Sequence, residues 1–405
     1  MKKLLLFVLP FFLFQVKNQA QNKNIALTKN LEKLSNPSKF VGFSVAVVSK
    51  DSVLYQNAFG FADKENKMPY TTQTVQNIAS VSKTFIGVCL MKAIELGYFD
   101  LETNINDVLP FHVINPHFPK ENIKIKHLVT HTSSIRDREE VYSKSFTLTP
   151  FSNIQSPLYQ NFKKKATIEN RTDTTLSTFL KSYFDKKEKY YSKKNFIKST
   201  VGETYEYSNI GAALAAYLIE VKANISFADF SQKHIFLPLK MNETSWFLNT
   251  TIAKKHSKNY NFEGVAYPLY SGITYPDGGL RTSCSDLSKY LLEMIKGYNG
   301  QSDLLKKQSF ELLFAKQFSE NNLPKNNSKK EPNSGVFWRY KTNGMIGHTG
   351  GDLGATTFMF FEPKTSIGKI FIANTEIDSP EQPQPDEAML KQFVAIWKAM
   401  DDLTQ

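Results

Sequence analysis

Hydrophobic positions at the start of the chain predict a β-hairpin that follows a short helix. Apolar and β-branched residues dominate 41–48 and recur from 53 to 61, and Asp51 begins the turn between the two runs. Such paired runs around a turn residue are typical of antiparallel strands. Upstream, the apolar positions from Leu27 to Leu34 have helical spacing and predict a short amphipathic helix.

Three apolar segments further along the chain are typical of buried helices. The first begins near Ser80 and continues to about Leu96, where Gly97 is suited to ending a helix. The second covers 209–222 and the third 227–236. The middle of the chain is therefore predicted to be mainly helical.

The C-terminal third returns to strand patterns and ends in a helix. Strands are predicted at about 335–340, 344–347, 355–361 and 367–374, and a helix at about 386–402. The apolar face of that helix is expected to pack on the sheet through Leu390, Phe393, Ile396 and Trp397.

Residues 136–200 are polar, rich in Lys, Asn and Ser, and form the least regular part of the sequence. We interpret 138–198 as an insertion over one rim of the fold, with one helix at about 174–185. Segments of this kind are commonly functional covers or mobile.

The first twenty residues are typical of an export signal. Lys2 and Lys3 precede an apolar run of eleven residues from Leu4 to Phe14, which is too short to span a bilayer comfortably. Cleavage is expected after Ala20, which gives a periplasmic or secreted protein. An uncleaved anchor is the alternative.

The 405-residue chain carries a formal net charge of +12, and removal of a signal with three Lys and no acidic residues leaves 12 − 3 = +9. This charge suits anionic envelope polymers, but a solvated Lys-rich surface is the preferred explanation. No segment is typical of a nucleic-acid-binding module. The two cysteines, Cys89 and Cys284, are expected to be free buried thiols.

Ser80 and Lys83 form a Ser-x-x-Lys pair at the start of the first apolar helix. Residues i and i+3 share a helix face, so Lys83 is placed to activate the Ser80 hydroxyl as a nucleophile. Lys83 acts as a base only after its ammonium loses a proton. At a helix N-terminus the Ser80 N–H is also free to bind an oxyanion. A second such pair, Ser366 and Lys369, is predicted to enter a strand, where the spacing separates the side chains.

Tyr207 and Asn209 lie where a polar turn opens into the second apolar helix, a rigid place for catalytic groups. The Tyr207 phenol is a second candidate proton carrier, favoured in its ionised form by Lys83. The Asn209 amide offers one acceptor and two donors, which suit holding Lys83 and a substrate amide. An ordinary capping turn is the alternative explanation of this segment.

His348, Thr349, Gly350 and Gly351 follow a predicted short strand that ends at Ile346. The glycines allow close backbone approach to a substrate. The Gly351 N–H is the candidate second oxyanion donor. His348 and Thr349 are candidates for holding a substrate carboxylate or ester oxygen, although a structural role for His348 stays open.

His127 and His131 have the i, i+4 spacing of a zinc site, but the Glu of the hydrolytic zinc motif is missing. No third ligand is evident, so we interpret both as structural. The sequence also contains no Gly-x-Ser-x-Gly nucleophile elbow, which argues against an α/β-hydrolase.

Taken together, these motifs resemble the penicillin-recognising serine hydrolases, specifically the class C β-lactamase-like branch that also holds D-alanyl-D-alanine carboxypeptidases, D-aminopeptidases and esterases. The resemblance covers about 40–400 apart from the insertion and is carried by residues 78–85, 125–133, 205–211, 278–283 and 347–351. It implies a β-lactamase/transpeptidase-like α/β (α+β) fold, with an antiparallel sheet flanked by helices plus an all-α lobe. It also implies a covalent acyl-enzyme, with no metal or cofactor.

On this resemblance, the catalytic domain extends over 24–405. The α/β lobe is expected at about 24–75 and 265–405, and the helical lobe at about 76–264. Two positions depart from the family pattern. His348 stands where class C β-lactamases carry Lys, whereas carboxypeptidases and esterases of the branch often carry His at this position. Ser134 stands where relatives usually have Gly.

The leading hypothesis is an exported serine hydrolase that acts on D-amino-acid peptides or esters, with a small-molecule or cell-wall-derived peptide as substrate. The first alternative is a class C-like β-lactamase. The second is a catalytically silent envelope-binding protein that uses the basic surface and the insertion. The sequence does not indicate an oligomeric state.

Overall fold

One large antiparallel sheet organises the chain. The computed structural model describes residues 21–160, 174–319, 321–378 and 384–403, so the predicted signal segment 1–20 and insertion residues 161–173 lie outside the described residues. Strands in the described residues are β1 (Gly42–Ser49), β2 (Val53–Asp63), β3 (Met68–Pro69), β4 (Val75–Asn77), β5 (Phe146–Leu148), β6 (Tyr270–Gly272), β7 (Arg281–Ser283), β8 (Asn333–Ser334), β9 (Arg339–Tyr340), β10 (Ile346–Asp352), β11 (Ala355–Glu362) and β12 (Ile367–Ala373).

The eight-stranded sheet has the order β3-β2-β1-β12-β11-β10-β9-β8. The predicted hairpin of 41–48 and 53–61 is confirmed as β1 and β2, and the C-terminal strands join it because β12 pairs antiparallel with β1. The sheet thus unites the two ends of the chain, while the intervening residues supply most of the helices.

Helices are found at residues 21–34, Ser82–Glu95, Ile125–Val129, Glu139–Tyr142, Leu176–Phe184, Asn209–Ala223, Phe227–Ser231, Thr250–Lys255, Cys284–Tyr298, Lys307–Phe314 and Glu387–Ala399. The predicted apolar helices are confirmed to within two residues, except that the third becomes a π-helical turn after Ser231. Gly97, at φ +75°, ends the first helix as expected because its backbone is left-handed there.

Two hydrophobic clusters cover the two faces of the sheet. On one face, the N-terminal and C-terminal helices pack over alternate residues of β1 and β12. On the other, the Cys284–Tyr298 helix joins the sheet to the Ser82–Glu95 helix, and Phe85 stacks on Tyr290 at 3.8 Å between ring centroids. The Ser82–Glu95 helix is therefore buried against the sheet side of the fold and also contacts the Asn209–Ala223 helix.

The C-terminal helix packs on the sheet through a slightly different set of residues from the predicted one. Phe393 is 8% exposed and Ile396 is fully buried, as expected, but Leu390 is 40% exposed. Met389 is buried in its place. The prediction for Leu390 was wrong because the 3.6-residue period fixes the spacing of an apolar face but not its exact edge.

The insertion is more regular than its composition indicated. It contains the Glu139–Tyr142 helix and strand β5, which pairs with β6 outside the main sheet. The predicted helix at 174–185 is confirmed as Leu176–Phe184, with Thr175 as its N-cap. Cys89 and Cys284 are both buried free thiols.

The fold is an antiparallel sheet with helices around it, as predicted. Across the described ranges, no single helix is long and apolar enough to cross a membrane. The helical segments Asn209–Ala223 and Phe227–Phe236 are long and apolar enough only when taken together, and the chain bends by 83° between them.

Phe393 and Leu390 give a matched test of the C-terminal packing. Phe393 stacks on Phe358 at 4.1 Å between centroids, so we expect Phe393→Ala to lower the free energy of unfolding by about 3 kcal/mol. Leu390→Ala, on the exposed side of the same helix, is expected to change it by only about 0.5 kcal/mol. Urea unfolding measures both, and equal losses would contradict this packing.

Candidate active site

Ser80 lies in a short 3-10 turn, Ala79–Val81, that leads into the Ser82–Glu95 helix. The turn is held in an unusual conformation, since Ala79 has a φ of +47° and donates its N–H to Asn77 Oδ1 at 2.8 Å. A non-glycine residue in this region stores strain that its surroundings must hold. The strained turn leaves Ser80 partly exposed beside the start of a buried helix.

Lys83 is completely buried and is surrounded by three oxygen atoms. Its Nζ lies 3.0 Å from Ser80 Oγ, 2.7 Å from Asn209 Oδ1 and 2.5 Å from the Asp277 main-chain oxygen. The last two oxygens can only accept hydrogen bonds. These two oxygens take two of the hydrogen-bonding directions of Lys83 Nζ, and the third direction is the contact with Ser80 Oγ.

The Tyr207 hydroxyl donates to Ser80 Oγ at 2.8 Å, and its ring lies 5.0 Å from Lys83 Nζ. The His131 ring packs against the Tyr207 ring, with 4.4 Å between the ring centroids. His131 Nδ1 also accepts the N–H of Ser208 at 3.2 Å. Ser80 thus has a contact with both candidate proton carriers that the sequence indicated.

Asp137 supports this arrangement, although the sequence motifs did not reveal it. Its carboxylate accepts hydrogen bonds from Ser208 Oγ at 2.7 Å and from the N–H groups of Asn209 and Ile210 at 2.6 and 3.0 Å. Burial raises the pKa of this carboxyl, while the three donors oppose the rise. Asp137 caps the helix that carries Asn209, and its distance from that helix in the sequence concealed the role.

Asp277 also contributes a buried carboxyl group close to Lys83. Burial raises the pKa of Asp277 to about 7, although the Lys83 charge acts in the opposite direction. Its Oδ1 accepts the Tyr142 hydroxyl at 3.1 Å, and a hydrogen bond from the Thr274 side chain also lowers its pKa. The sequence offered no signal for this residue, because its contact with Lys83 uses a main-chain oxygen.

His348, Thr349, Gly350 and Gly351 lie within β10 rather than after a strand. The prediction of a strand end at Ile346 was wrong because glycines weaken the local strand signal, whereas pairing with β11 extends β10 to Asp352. His348 and Gly350 face one side of the sheet, and Thr349 and Gly351 face the other.

Gly350 lets β10 approach the nucleophile turn. A Cβ at this position would lie 2.3 Å from the Ile78 carbonyl oxygen and 3.2 Å from the Ser80 nitrogen. A contact of 2.3 Å with backbone is not tolerated without movement. Only glycine at position 350 lets β10 lie this close to the turn that carries Ser80.

His348 is 5% exposed and donates from Nδ1 to its neighbour's main-chain oxygen, Thr349 O, at 2.5 Å. Because a carbonyl only accepts, this contact places the ring proton on Nδ1 and leaves Nε2 as an acceptor. Burial, followed by the positive charge of Lys83, lowers the pKa of His348 to about 4. The imidazole is thus neutral near pH 7.

His127 and His131 make separate structural contacts. His127 Nδ1 accepts the Lys124 N–H at 3.0 Å, whereas His131 faces Tyr207 and Ser208. Within the part of the chain that the structure describes, no group of three His, Cys, Asp or Glu side chains is placed to hold a metal ion.

Gly350→Ala tests the approach of β10 to Ser80. The added methyl is expected to displace the strand and to lower the rate of Ser80 acylation about a hundredfold. A Cβ at Gly351 would lie in open space, with the nearest atom at 4.0 Å, so Gly351→Ala is expected to lower the acylation rate by less than about tenfold. The rate of burst acylation by an activated ester measures both, and an unaffected Gly350→Ala protein would contradict the geometry.

Comparison with known proteins agrees with this fold and shows the family. The β-lactamase family model matches residues 27–392. Penicillin-binding protein 4* of Bacillus subtilis strain 168 is 26% identical over 393 residues, which cover 92% of this chain and 75% of that protein. Protein flp of Staphylococcus aureus strain MRSA252 is 23% identical over 341 residues, which cover 82% of this chain and 59% of that protein.

A solved structure confirms the predicted β-lactamase/transpeptidase-like fold. The octameric penicillin-binding protein homologue from Pyrococcus abyssi superposes with a TM-score of 0.69 at 20% identity, covering 95% of this chain and 77% of that one. The family match extends over most of the sequence and includes every candidate site residue described above. The chain therefore belongs to the β-lactamase family of serine hydrolases.

Proposed function

We propose that the protein forms an acyl-enzyme on Ser80 and hydrolyses it. The observation that carries the proposal is the hydrogen-bonded set of Ser80, Lys83, Tyr207 and Asn209. Lys83 takes the proton of the attacking Ser80 hydroxyl, and Tyr207 carries a proton to the leaving group. Asn209 orients Lys83 and binds a substrate amide. General acid and base groups of this kind contribute about 10² to 10⁴ in rate.

The N–H groups of Ser80 and Gly351 form the proposed oxyanion hole. Asp352 and Ala355 close the β10–β11 hairpin, and hydrogen-bonded pairs alternate with non-bonded pairs from there. In this alternation the Gly351–Thr356 pair is one that is not joined by hydrogen bonds, so the Gly351 N–H points away from β11. It points to the other edge of β10, where β9 pairs only with Ile346 and Gly347 and leaves the Gly351 position uncovered. Thr349 and Gly350 complete the proposed substrate-binding edge.

The proposed substrates are esters and D-amino-acid peptide amides. Because His348 is neutral and its Nε2 is an acceptor, it supplies no positive charge for a substrate carboxylate, which favours esters among these candidates over peptides with a C-terminal carboxylate. A class C-like β-lactamase is the second candidate. The match to the β-lactamase family model favours it, whereas His348, where class C β-lactamases carry Lys, does not.

Export and a cell-wall-derived substrate are parts of the same proposal. The Lys-rich start and apolar run of residues 1–20 support export to the periplasm or the medium.

The proposed α/β and helical lobes meet at Ser80, with the sheet on one side and the Asn209–Ala223 helix on the other. A substrate would enter between them.

Hydrolysis of three acyl donors tests this function. We expect the purified protein to turn over p-nitrophenyl acetate or a peptide ending in D-Ala-D-Ala, and to hydrolyse a chromogenic cephalosporin slowly or not at all. Ser80→Ala is expected to lose activity about a thousandfold because the nucleophile is removed. Ser366→Ala, which changes the other Ser-x-x-Lys serine, serves as the matched control and keeps full activity.

Full activity in Ser80→Ala would contradict the proposed nucleophile. Rapid cephalosporin hydrolysis would instead establish the β-lactamase alternative. Inactivity on all three donors, together with salt-sensitive binding to anionic envelope polymer, would favour a silent binding protein.

A further inference from the structure

The two acceptors that flank Lys83 belong to separate parts of the chain. Asn209 begins the Asn209–Ala223 helix, and Asp277 ends a 3-10 turn, Tyr275–Asp277. A neutral amine offers its lone pair to Ser80 only while both acceptors hold its two N–H groups. The relative position of these two elements therefore matters directly for Ser80 activation.

Asp137 holds the first acceptor. Its carboxylate binds the main-chain N–H of Asn209 itself at 2.6 Å, together with the N–H of Ile210 and the hydroxyl of Ser208. Three donors on consecutive residues fix both the position and the direction of the helix start. The Asn209 side chain, which contacts Lys83, projects from this fixed point.

Tyr142 holds the second acceptor. Its hydroxyl donates to Asp277 Oδ1 at 3.1 Å, while the main-chain oxygen of the same residue accepts from Lys83. The Asp277 side chain is buried, and the hydroxyls of Tyr142 and Thr274 both hydrogen-bond to it. The Tyr142 ring is itself braced edge-on by Phe146 at 5.6 Å.

Residues 137–142 are in turn anchored to the insertion. The Tyr183 hydroxyl, on the Leu176–Phe184 helix, donates to Arg136 O at 2.6 Å and accepts the Arg138 N–H at 3.0 Å. One buried hydroxyl thus binds the main chain on both sides of Asp137. The Arg138 guanidinium adds a contact with Asn195 Oδ1 at 3.1 Å.

We infer that residues 137–142 act as a positioning clamp that holds both hydrogen-bond acceptors of Lys83, with Asp137 setting Asn209 and Tyr142 setting Asp277. The inference rests on the proposed function, in which Lys83 is the base for Ser80. It gives the start of the insertion a role in the chemistry beyond covering a rim of the fold. Asp137 and Tyr142 are positioning residues, because neither is required to touch the substrate.

Three substitutions test the clamp. Tyr142→Phe removes one hydroxyl and is expected to lower kcat about tenfold, with KM within about twofold of the wild-type value. Asp137→Ala removes all three contacts and is expected to lower kcat about a hundredfold. Asp137→Asn keeps an acceptor oxygen and is expected to recover part of that loss. A merely structural role would not separate kcat from KM in this way.

Tyr217→Phe is the matched control. It also removes a tyrosine hydroxyl that joins the insertion to the Asn209–Ala223 helix, where Tyr217 contacts Ser177 Oγ at 2.8 Å. Its site is distinct from residues 137–142, so kcat is expected to stay within about twofold of wild type. Thermal unfolding of all four variants measures folding separately from turnover.

The measurements use the acyl donor that the wild-type protein turns over, with Lys83→Ala alongside. Loss of kcat in Lys83→Ala, Tyr142→Phe and Asp137→Ala, with normal turnover in Tyr217→Phe, supports the clamp. Loss in Lys83→Ala with unchanged kcat in Tyr142→Phe and Asp137→Ala overturns the clamp alone. An equal loss in Tyr217→Phe also overturns it, because the effect is then general. Full activity in Lys83→Ala, or no turnover by wild type, overturns the proposed function and the clamp together.

Discussion

The burial of Lys83 among three oxygens is the constraint on which the rest of the site depends. An amine removed from water is costly unless every hydrogen-bonding direction is satisfied. Here two directions are taken by oxygens that can only accept, one from Asn209 and one from the main chain of Asp277. The third direction belongs to Ser80, so the geometry that makes burial tolerable also presents the lysine to the nucleophile.

The surrounding fold can be understood as the means of bringing these oxygens together. The Ser82–Glu95 helix is buried between the sheet side and the Asn209–Ala223 helix, which fixes Lys83 relative to Asn209. The strained turn at Ala79 places Ser80 beside β10, and Gly350 removes the side chain that would keep them apart. A strained backbone and such a close approach persist only where the surrounding structure is rigid enough to hold them.

The sequence was informative where chemistry is encoded locally. Ser80 with Lys83, and Tyr207 with Asn209, are short motifs at helix starts, and the structure brings the four side chains together. Buried helices and the first hairpin were predictable for the same reason, since their apolar periodicity is local. The edge of an apolar face is less local, and Leu390 is exposed where a buried residue was expected.

Contacts made by the main chain, or between distant segments, left no such pattern. The oxygen of Asp277 that binds Lys83 would be present with any residue at that position, so no residue type indicates it. Asp137 caps a helix that begins 72 residues later, which no capping motif at the helix itself encodes. Pairing with β11 likewise decides that His348 lies inside a strand, although the glycines after it favour a turn.

Peptide mapping by mass spectrometry of the acid-quenched reaction tests the central claim most directly, with wild-type and Lys83→Ala proteins compared after exposure to the same acyl donor. The account predicts an acyl group on the peptide that contains Ser80 in the wild-type protein, and its absence from Lys83→Ala over the same time. An adduct on another residue, or equal labelling of Ser80 without the lysine, would contradict it.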